Sequence, residues 1–170
     1  ELDDNLASIA AMVKKYFISF DGYEYKFQLV SEAIRTLYST EEFEEAFTYT
    51  GNDLGATWTQ EKTTFKVWAP TADKVEVKLY DKGEVGEETS TETLAMTEGV
   101  WSAEKAGNLN GTYYTYAVTI GGETTEACDP YARTTGVNGN RAMVLNLDAT
   151  NPEGWAADVG PNAGMNYTDS

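Results

Sequence analysis

A run of short strand patterns, separated by turn residues, constrains the fold of this chain more than any other feature. The clearest pattern lies at Val75, Val77 and Leu79, which alternate with polar residues as in a strand with one buried face. The predicted strands span residues 64–69, 75–80, 93–96, 100–104, 112–120, 123–127 and 142–147. Turn signals recur about every 8–12 residues, which is typical of antiparallel sandwiches. We therefore predict a mainly β chain whose centre is an immunoglobulin-like antiparallel β-sandwich.

The first part of the chain shows different patterns. Apolar residues recur at helical spacing across residues 6–17, and the Ser-Thr-Glu-Glu run at residues 39–42 has the spacing of a helix capping box. Between them, Asp21-Gly22 separates two alternating runs, as in a tight β-hairpin. The hairpin would place six large side chains on one face: Tyr16, Ile18, Phe20, Tyr23, Tyr25 and Phe27. We predict a helix–hairpin–helix segment over residues 1–47 in which that face needs a cover, because an isolated hairpin is marginal in water.

Charge and composition exclude several classes of function. The chain has 12 basic and 28 acidic residues, and its net charge of −16 argues against nucleic-acid and membrane partners. No run approaches the roughly 20 apolar residues of a membrane span. No histidine is present, so neither a Ser-His-Asp triad nor a histidine-ligated metal site can form. Cys128 is the single cysteine, which excludes an internal disulfide. We expect no metal and no cofactor.

Carbohydrate binding is the chemistry that remains, since aromatic residues make up 12% of the chain. Flat aromatic rings stack on the apolar faces of sugars, while polar side chains bind the hydroxyl groups. Tyr80 and Tyr113 point away from the predicted core and are the candidate sugar-binding residues. Three tryptophans lie in or beside predicted strands, where core or sheet packing explains them better: Trp58, Trp68 and Trp101.

Five further segments stand in a characteristic order. They are TYTGNDLG at residues 48–55, TFKVWAPT at 64–71, GTYY at 111–114, DPYA at 129–132 and TNPEGW at 150–155. In order and spacing they resemble the region that precedes the catalytic barrel of type I pullulanases, which are starch-debranching enzymes of the α-amylase superfamily. The resemblance covers about residues 48–169. It implies a carbohydrate-binding module of the glycogen-binding or isoamylase N-terminal type.

The sugar contacts of such modules are missing from the matching positions. Glycogen-binding relatives use a tryptophan in the loop after the second sandwich strand, a lysine on the Tyr-x-Tyr strand and a second tryptophan after the following tight turn. Here residues 81–88 contain no aromatic residue, the strand position is Thr115, and Glu123 and Thr124 follow the turn. We therefore expect the family's usual sugar site to be lost.

The resemblance implies a non-catalytic accessory module of an enzyme that hydrolyses α-1,6-glucosidic branch links in starch, glycogen or pullulan. Its carboxylate pair would lie in a barrel of the same polypeptide, outside this chain, so we expect no catalytic residue here. Residues 48–148 would form the module, and residues 149–170 would lead toward the barrel. We expect Tyr131, Arg133 and Trp155 at the contact with that barrel, because aromatic and guanidinium groups are enriched at interfaces.

Two other functions stay open. The chain could be an autonomous module that binds α-glucan through other exposed aromatic residues, or a generic immunoglobulin-like interaction or cell-surface module. Binding of maltooligosaccharides by the purified chain discriminates between them. The acidic, cysteine-poor composition favours an extracellular or cell-surface bacterial protein, although the first five residues lack the basic start of a signal peptide.

Overall fold

The computed structural model of the protein describes Arg35 and residues 38–159. The first predicted helix, which would end near Lys15, and the hairpin predicted around Asp21-Gly22 lie outside the described residues. One α-helix and nine strands follow one another in the described part. They are α1 (Glu41–Phe47), β1 (Gly55–Trp58), β2 (Lys62–Trp68), β3 (Lys74–Tyr80), β4 (Ser90–Thr93), β5 (Ala95–Thr97), β6 (Val100–Ala106), β7 (Tyr113–Ile120), β8 (Glu123–Ala127) and β9 (Ala142–Met143).

The strands form two antiparallel sheets. The first sheet has the strand order β1-β2-β6-β5, and the second has the order β4-β3-β7-β8, with β9 also paired to β7. In both sheets the neighbouring strands run antiparallel. The predicted mainly β, antiparallel sandwich is thereby confirmed.

The core lies between the two sheets and follows the alternation of the strands. Phe65 of β2 meets Tyr114 of β7 with ring centroids 5.0 Å apart, in the edge-to-face geometry that aromatic pairs prefer. Trp101 of β6 is buried and donates its indole N–H to the Ala69 carbonyl at 2.9 Å. The predicted core positions of β3 are all buried: Val75, Val77 and Leu79. Each such side chain contributes about 1.5–3 kcal/mol by leaving water.

The single strand predicted at residues 93–96 is wrong, because the chain changes sheet there. β4 pairs with β3 in the second sheet, whereas β5 pairs with β6 in the first. Leu94 lies between them, is buried, and donates its amide to the Val75 carbonyl at 2.9 Å. A period-two pattern continues unbroken through such a crossing, so the sequence does not reveal it.

The strand predicted at residues 142–147 is shorter than expected. β9 contains only Ala142–Met143. The Asn146 amide donates to the side chain of Asn110 at 2.7 Å, so a side-chain oxygen replaces the carbonyl of a neighbouring strand. The chain then continues as a 3₁₀ turn at Leu147–Thr150.

Helix α1 starts one residue later than the capping-box pattern predicts. The pattern indicates Ser39 as the N-cap, which is wrong, because Ser39 instead donates its hydroxyl to the Arg35 carbonyl at 2.7 Å. Thr40 is the N-cap, and its hydroxyl accepts the Phe43 amide at 3.2 Å. The two residues are adjacent hydroxyl side chains, so spacing alone does not separate them.

Helix α1 packs against the outer face of the first sheet. Trp68 of β2 donates its indole N–H to the Phe47 carbonyl at 2.8 Å. Phe43 is buried and stands edge-on to Trp68, with ring centroids 6.2 Å apart. Trp68 therefore serves as the platform for α1, and the aromatic side chains of the helix meet the sheet there.

Candidate functional site

Tyr80, one of the predicted sugar-binding residues, lies on the outer face of the second sheet but is covered by other side chains. The residue is only 5% exposed. The guanidinium carbon of Arg141 lies 3.5 Å from the ring centroid, in a cation–π contact. The Tyr80 hydroxyl donates to Glu126 at 2.6 Å. Stacking on a sugar requires an open ring face, and Tyr80 does not present one.

Glu126 of β8 holds this cluster together. Besides the Tyr80 hydroxyl, its carboxylate accepts the Thr115 hydroxyl at 2.8 Å and the Lys78 ammonium at 3.2 Å. Burial works to raise the pKa of Glu126, but these three donors outweigh it and leave the pKa lowered. Burial and the hydrogen bond to Glu126 raise the pKa of Tyr80. We call these four residues and Arg141 the Tyr80 cluster.

Arg141 connects the Tyr80 cluster to the loop after β3. Its guanidinium donates to the carbonyls of Lys82 at 2.7 Å, Val85 at 3.1 Å and Gly86 at 2.9 Å. One side chain thus holds the loop and covers Tyr80. Sequence reasoning missed this role, because the partners lie between 55 and 59 residues away and no motif marks them.

The positions that the resemblance assigns to the family's sugar site on β7 and β8 hold polar side chains. Thr115 is 3% exposed and is occupied by its bond to Glu126. The hydroxyls of Thr124 and Thr119 bond to each other at 2.8 Å across β7 and β8. β8 is exposed along its whole length, including Glu123. Thr115, Glu123 and Thr124 therefore supply no aromatic ring on which a sugar could stack.

Tyr113, the second predicted sugar-binding residue, lies directly opposite Tyr80 in the pairing of β3 with β7. It is partly exposed, and its ring packs against the loop after β3: a Cβ placed on Gly83 would lie 2.7 Å from the ring. The structure therefore brings the two predicted tyrosines together, with Tyr113 the more accessible.

Asp129 shapes the segment that carries the predicted interface residues. It is 4% exposed and accepts the Tyr114 hydroxyl at 2.6 Å and the Tyr131 amide at 2.8 Å. Burial raises the pKa of the carboxyl, and the two hydrogen bonds oppose this only in part. The bond to the amide two residues onward is an Asx turn. It fixes the backbone that positions Tyr131.

Tyr131 and Arg133 line one recess of about 310 Å³. Gly51, Asn52 and Leu54 form its other wall, and we call it the Arg133 recess. The two walls meet at Gly55, which has a φ of +95° and where a Cβ would stand 2.9 Å from the Tyr131 carbonyl oxygen. Only glycine fits this approach, which explains the glycine that ends TYTGNDLG.

A second, larger cavity of about 440 Å³ adjoins the recess and shares Leu54 and Tyr131 with it. It lies beside α1 on the outer side of the first sheet. Aromatic and apolar side chains form most of its lining: Tyr38, Phe43, Phe47, Leu54, Trp68 and Tyr131. We call it the aromatic groove. No sequence motif marks the aromatic groove, because its lining residues come from separate parts of the sequence.

Trp155, the third predicted interface residue, is 61% exposed. It opens a 3₁₀ turn, Trp155–Ala157, and does not line the Arg133 recess. Val159 nearby is 71% exposed. The tryptophan therefore presents a large apolar surface outside the core of the sandwich.

Across Arg35 and residues 38–159, no group of three or more cysteine, aspartate or glutamate side chains is arranged to hold a metal ion. No helix in the same part of the chain has the length and apolar character needed to cross a membrane.

Residues 53–132 match the family model of carbohydrate-binding module 48, the isoamylase N-terminal domain. The match includes the sandwich strands through β8 and the Asp129–Tyr131 turn. It supports a module of the carbohydrate-binding type that the fold and the sequence motifs indicate.

The relatives are pullulanases. Over 120 residues the chain is 38% identical to pullulanase 1 of Arabidopsis thaliana chloroplasts, and this match covers 66% of the chain and 12% of the relative. It is 34% identical to the Bacillus subtilis pullulanase over 122 residues, which covers 72% of the chain and 16% of the relative. The chain therefore corresponds to the N-terminal module region of a pullulanase and spans only a small part of these proteins.

Solved structures of pullulanases are also similar to this chain. The pullulanase of Paenibacillus barengoltzii, in complex with maltohexaose and α-cyclodextrin, superposes with a TM-score of 0.68 at 40% identity, over 72% of this chain and 19% of that one. The pullulanase of Bacillus acidopullulyticus gives a TM-score of 0.64 at 42% identity, over 67% and 14% of the two chains.

Proposed function

We propose that this chain is a non-catalytic accessory module that acts mainly as a scaffold packed on the catalytic barrel of its own polypeptide. The parent enzyme would hydrolyse α-1,6-glucosidic branch links in starch, glycogen or pullulan, with its carboxylate pair in that barrel. The pullulanase relatives support this proposal, because each extends far beyond the region that the chain matches.

The burial of Tyr80 beneath Arg141 is the observation that carries the scaffold role. A sugar-binding face needs open aromatic rings and unoccupied polar groups. In the Tyr80 cluster the ring is covered and the Glu126 carboxylate already accepts three donors. The outer face around Tyr80 is thus occupied by the protein's own side chains, which supports a role other than sugar binding for this face.

A contact with a barrel would instead require an exposed apolar surface, and Trp155 provides one. Trp155 is 61% exposed, and covering such a side chain would contribute about 1.5–3 kcal/mol. Tyr131 and the exposed Arg133 line a recess next to a segment held by Asp129. Rigid aromatic and guanidinium groups of this kind are enriched at domain interfaces.

The test compares Trp155→Ala with the unchanged parent enzyme that carries this module. The scaffold role predicts a lower melting temperature and an unchanged affinity for maltooligosaccharides, and Tyr113→Ala should likewise leave this affinity unchanged. The isolated chain should bind maltooligosaccharides with a Kd above about 1 mM in calorimetry. An unchanged melting temperature together with lost starch binding would show instead that Trp155 is a sugar platform.

Binding of α-glucan by the module itself is the second candidate function. It is favoured by the partly exposed ring of Tyr113 and by the relative solved with maltohexaose and α-cyclodextrin. Micromolar binding that is lost in Tyr113→Ala would establish it. An extracellular or cell-surface bacterial location also stays a prediction, since one relative is a chloroplast protein.

A further inference from the structure

We propose that the aromatic groove is the docking site for residues 16–27 of the same chain. This proposal concerns the outer face of the first sheet and goes beyond the contact with a barrel. It joins an aromatic cavity in the described part with a run of large apolar side chains in the sequence that precedes it.

The groove is lined by rings that already form a connected cluster. Tyr38 stands edge-on to Phe43 at 4.7 Å between ring centroids and lies 6.1 Å from Trp68. Phe47 lies 4.9 Å from Phe43. These rings form a cavity wall rather than a closed core, because a space of about 440 Å³ remains between them and Tyr131. Such a space fits further aromatic side chains.

Residues 16–27 carry those side chains at period-two spacing. Tyr16, Ile18 and Phe20 precede the Asp21-Gly22 turn signal, and three aromatic residues follow it: Tyr23, Tyr25 and Phe27. A two-residue turn would place all six on one face. A face of this size is not stable in water without a cover, because an isolated hairpin is marginal.

Chain connectivity favours this segment over a second molecule. Tyr38 forms part of the groove wall and lies only 11 residues after Phe27 in the sequence. An extended connection of that length reaches about 36 Å, so the segment can reach the groove. A tethered partner is present at an effective concentration on the order of millimolar, which a separate molecule rarely matches.

Charge complementarity points the same way. Helix α1 borders the groove and carries four glutamates in seven residues, one of which, Glu44, lines the cavity. Lys14 and Lys15 precede residues 16–27, and Lys26 lies within this segment. Exposed pairs of this kind contribute little energy individually, but they favour one orientation of approach.

The experiment uses the full chain with a photoreactive benzoylphenylalanine in place of Tyr25, on the apolar face. After irradiation, mass spectrometry should locate the crosslink within residues 43–54 or at Trp68 of the same molecule. The matched control places the same probe at Glu24, on the opposite face, and should give no crosslink to these residues. Crosslinks that join two copies, or that lie elsewhere or nowhere, would overturn the proposal.

A second pair of variants tests the apolar face without relying on the probe alone. Ile18→Asp, which places a charge on that face beside residue 25, should abolish the Tyr25-probe crosslink. Ser19→Asp adds the same charge on the opposite face and should leave the crosslink intact. Equal effects of the two changes would contradict the proposal. Because no barrel is needed, this result is independent of the test of the scaffold role.

Discussion

Replacing Asp129 by asparagine should remove the pH dependence of stability that arises from its buried carboxyl group, while keeping the shape of the DPYA segment. The carboxyl is 4% exposed, and burial raises its pKa from the ordinary value of 3.8. The ionised form is therefore less favourable in the folded chain than in the unfolded chain. Each unit of such an increase corresponds to about 1.4 kcal/mol of free energy of unfolding.

The sign of the pH dependence follows from that direction. At a pH above the folded pKa, the buried carboxylate lowers the free energy of unfolding by the full amount. As the pH falls toward 3.8, the folded form takes up its proton first and the cost disappears. Asp129→Asn keeps an oxygen that accepts the Tyr131 amide, and its NH₂ can donate to the Tyr114 oxygen, so that only the Tyr114 hydroxyl proton is left without an acceptor. The free energy of unfolding of Asp129→Asn should therefore lack the pH dependence that comes from the Asp129 carboxyl group.

Asp129→Ala should lower the free energy of unfolding by a larger amount. Asp129→Ala leaves two buried donors without an acceptor, the Tyr114 hydroxyl and the Tyr131 amide. Each costs about 1–3 kcal/mol, so at a pH where the wild-type Asp129 is protonated the free energy of unfolding should fall by roughly 2–6 kcal/mol.

Urea unfolding of the three proteins at several pH values between about 4 and 8 measures these effects. Asp148→Asn, at an exposed position, removes the same charge and serves as the control. If Asp129→Asn is as unstable as Asp129→Ala, or keeps the wild-type pH dependence, the explanation by a buried charge is wrong.

Two further changes test the parts of the fold that position the sites. Arg141→Met should lower the free energy of unfolding by about 1–3 kcal/mol, because three backbone carbonyls and the Tyr80 ring lose their partner. It should also speed amide hydrogen exchange in residues 82–86. Equal exchange rates in the variant and the wild type would refute this. Gly55→Ala should cost about 1–3 kcal/mol more in urea unfolding than Gly107→Ala, since both glycines have positive φ but only Gly55 faces the Tyr131 oxygen. Equal losses would show that backbone strain alone accounts for the effect.

Local periodicity was sufficient to predict the sandwich, because each strand carries its own pattern. The alternation at Val75, Val77 and Leu79 places the same residues in the core that the structure buries. The crossing at Leu94 was missed because alternation says which face a residue takes, not which sheet its strand joins.

The candidate site shows a different limit. Sequence alternation placed Tyr80 on the outer face correctly, yet outer-face residues are exposed only where nothing covers them. Its cover, Arg141, comes from a turn some 60 residues onward and is held by backbone carbonyls rather than by a recognisable side-chain motif. The expected loss of the family's sugar contacts rests on residue identities at fixed positions, and it stays a prediction. The side chains that cover Tyr80 could not be predicted in this way.

The link between β4 and β5 has a consequence for how the sandwich opens. Leu94 joins the outer strands of the two sheets directly, so the sheets are covalently hinged at that edge. At the other edge, β1 and β8 are held together through the Asp129–Tyr131 segment packed on Gly55. Partial unfolding should therefore begin at this second edge. A partner bound at Tyr131 would keep it closed, so docking and resistance of the module to heat or proteolysis would be coupled there.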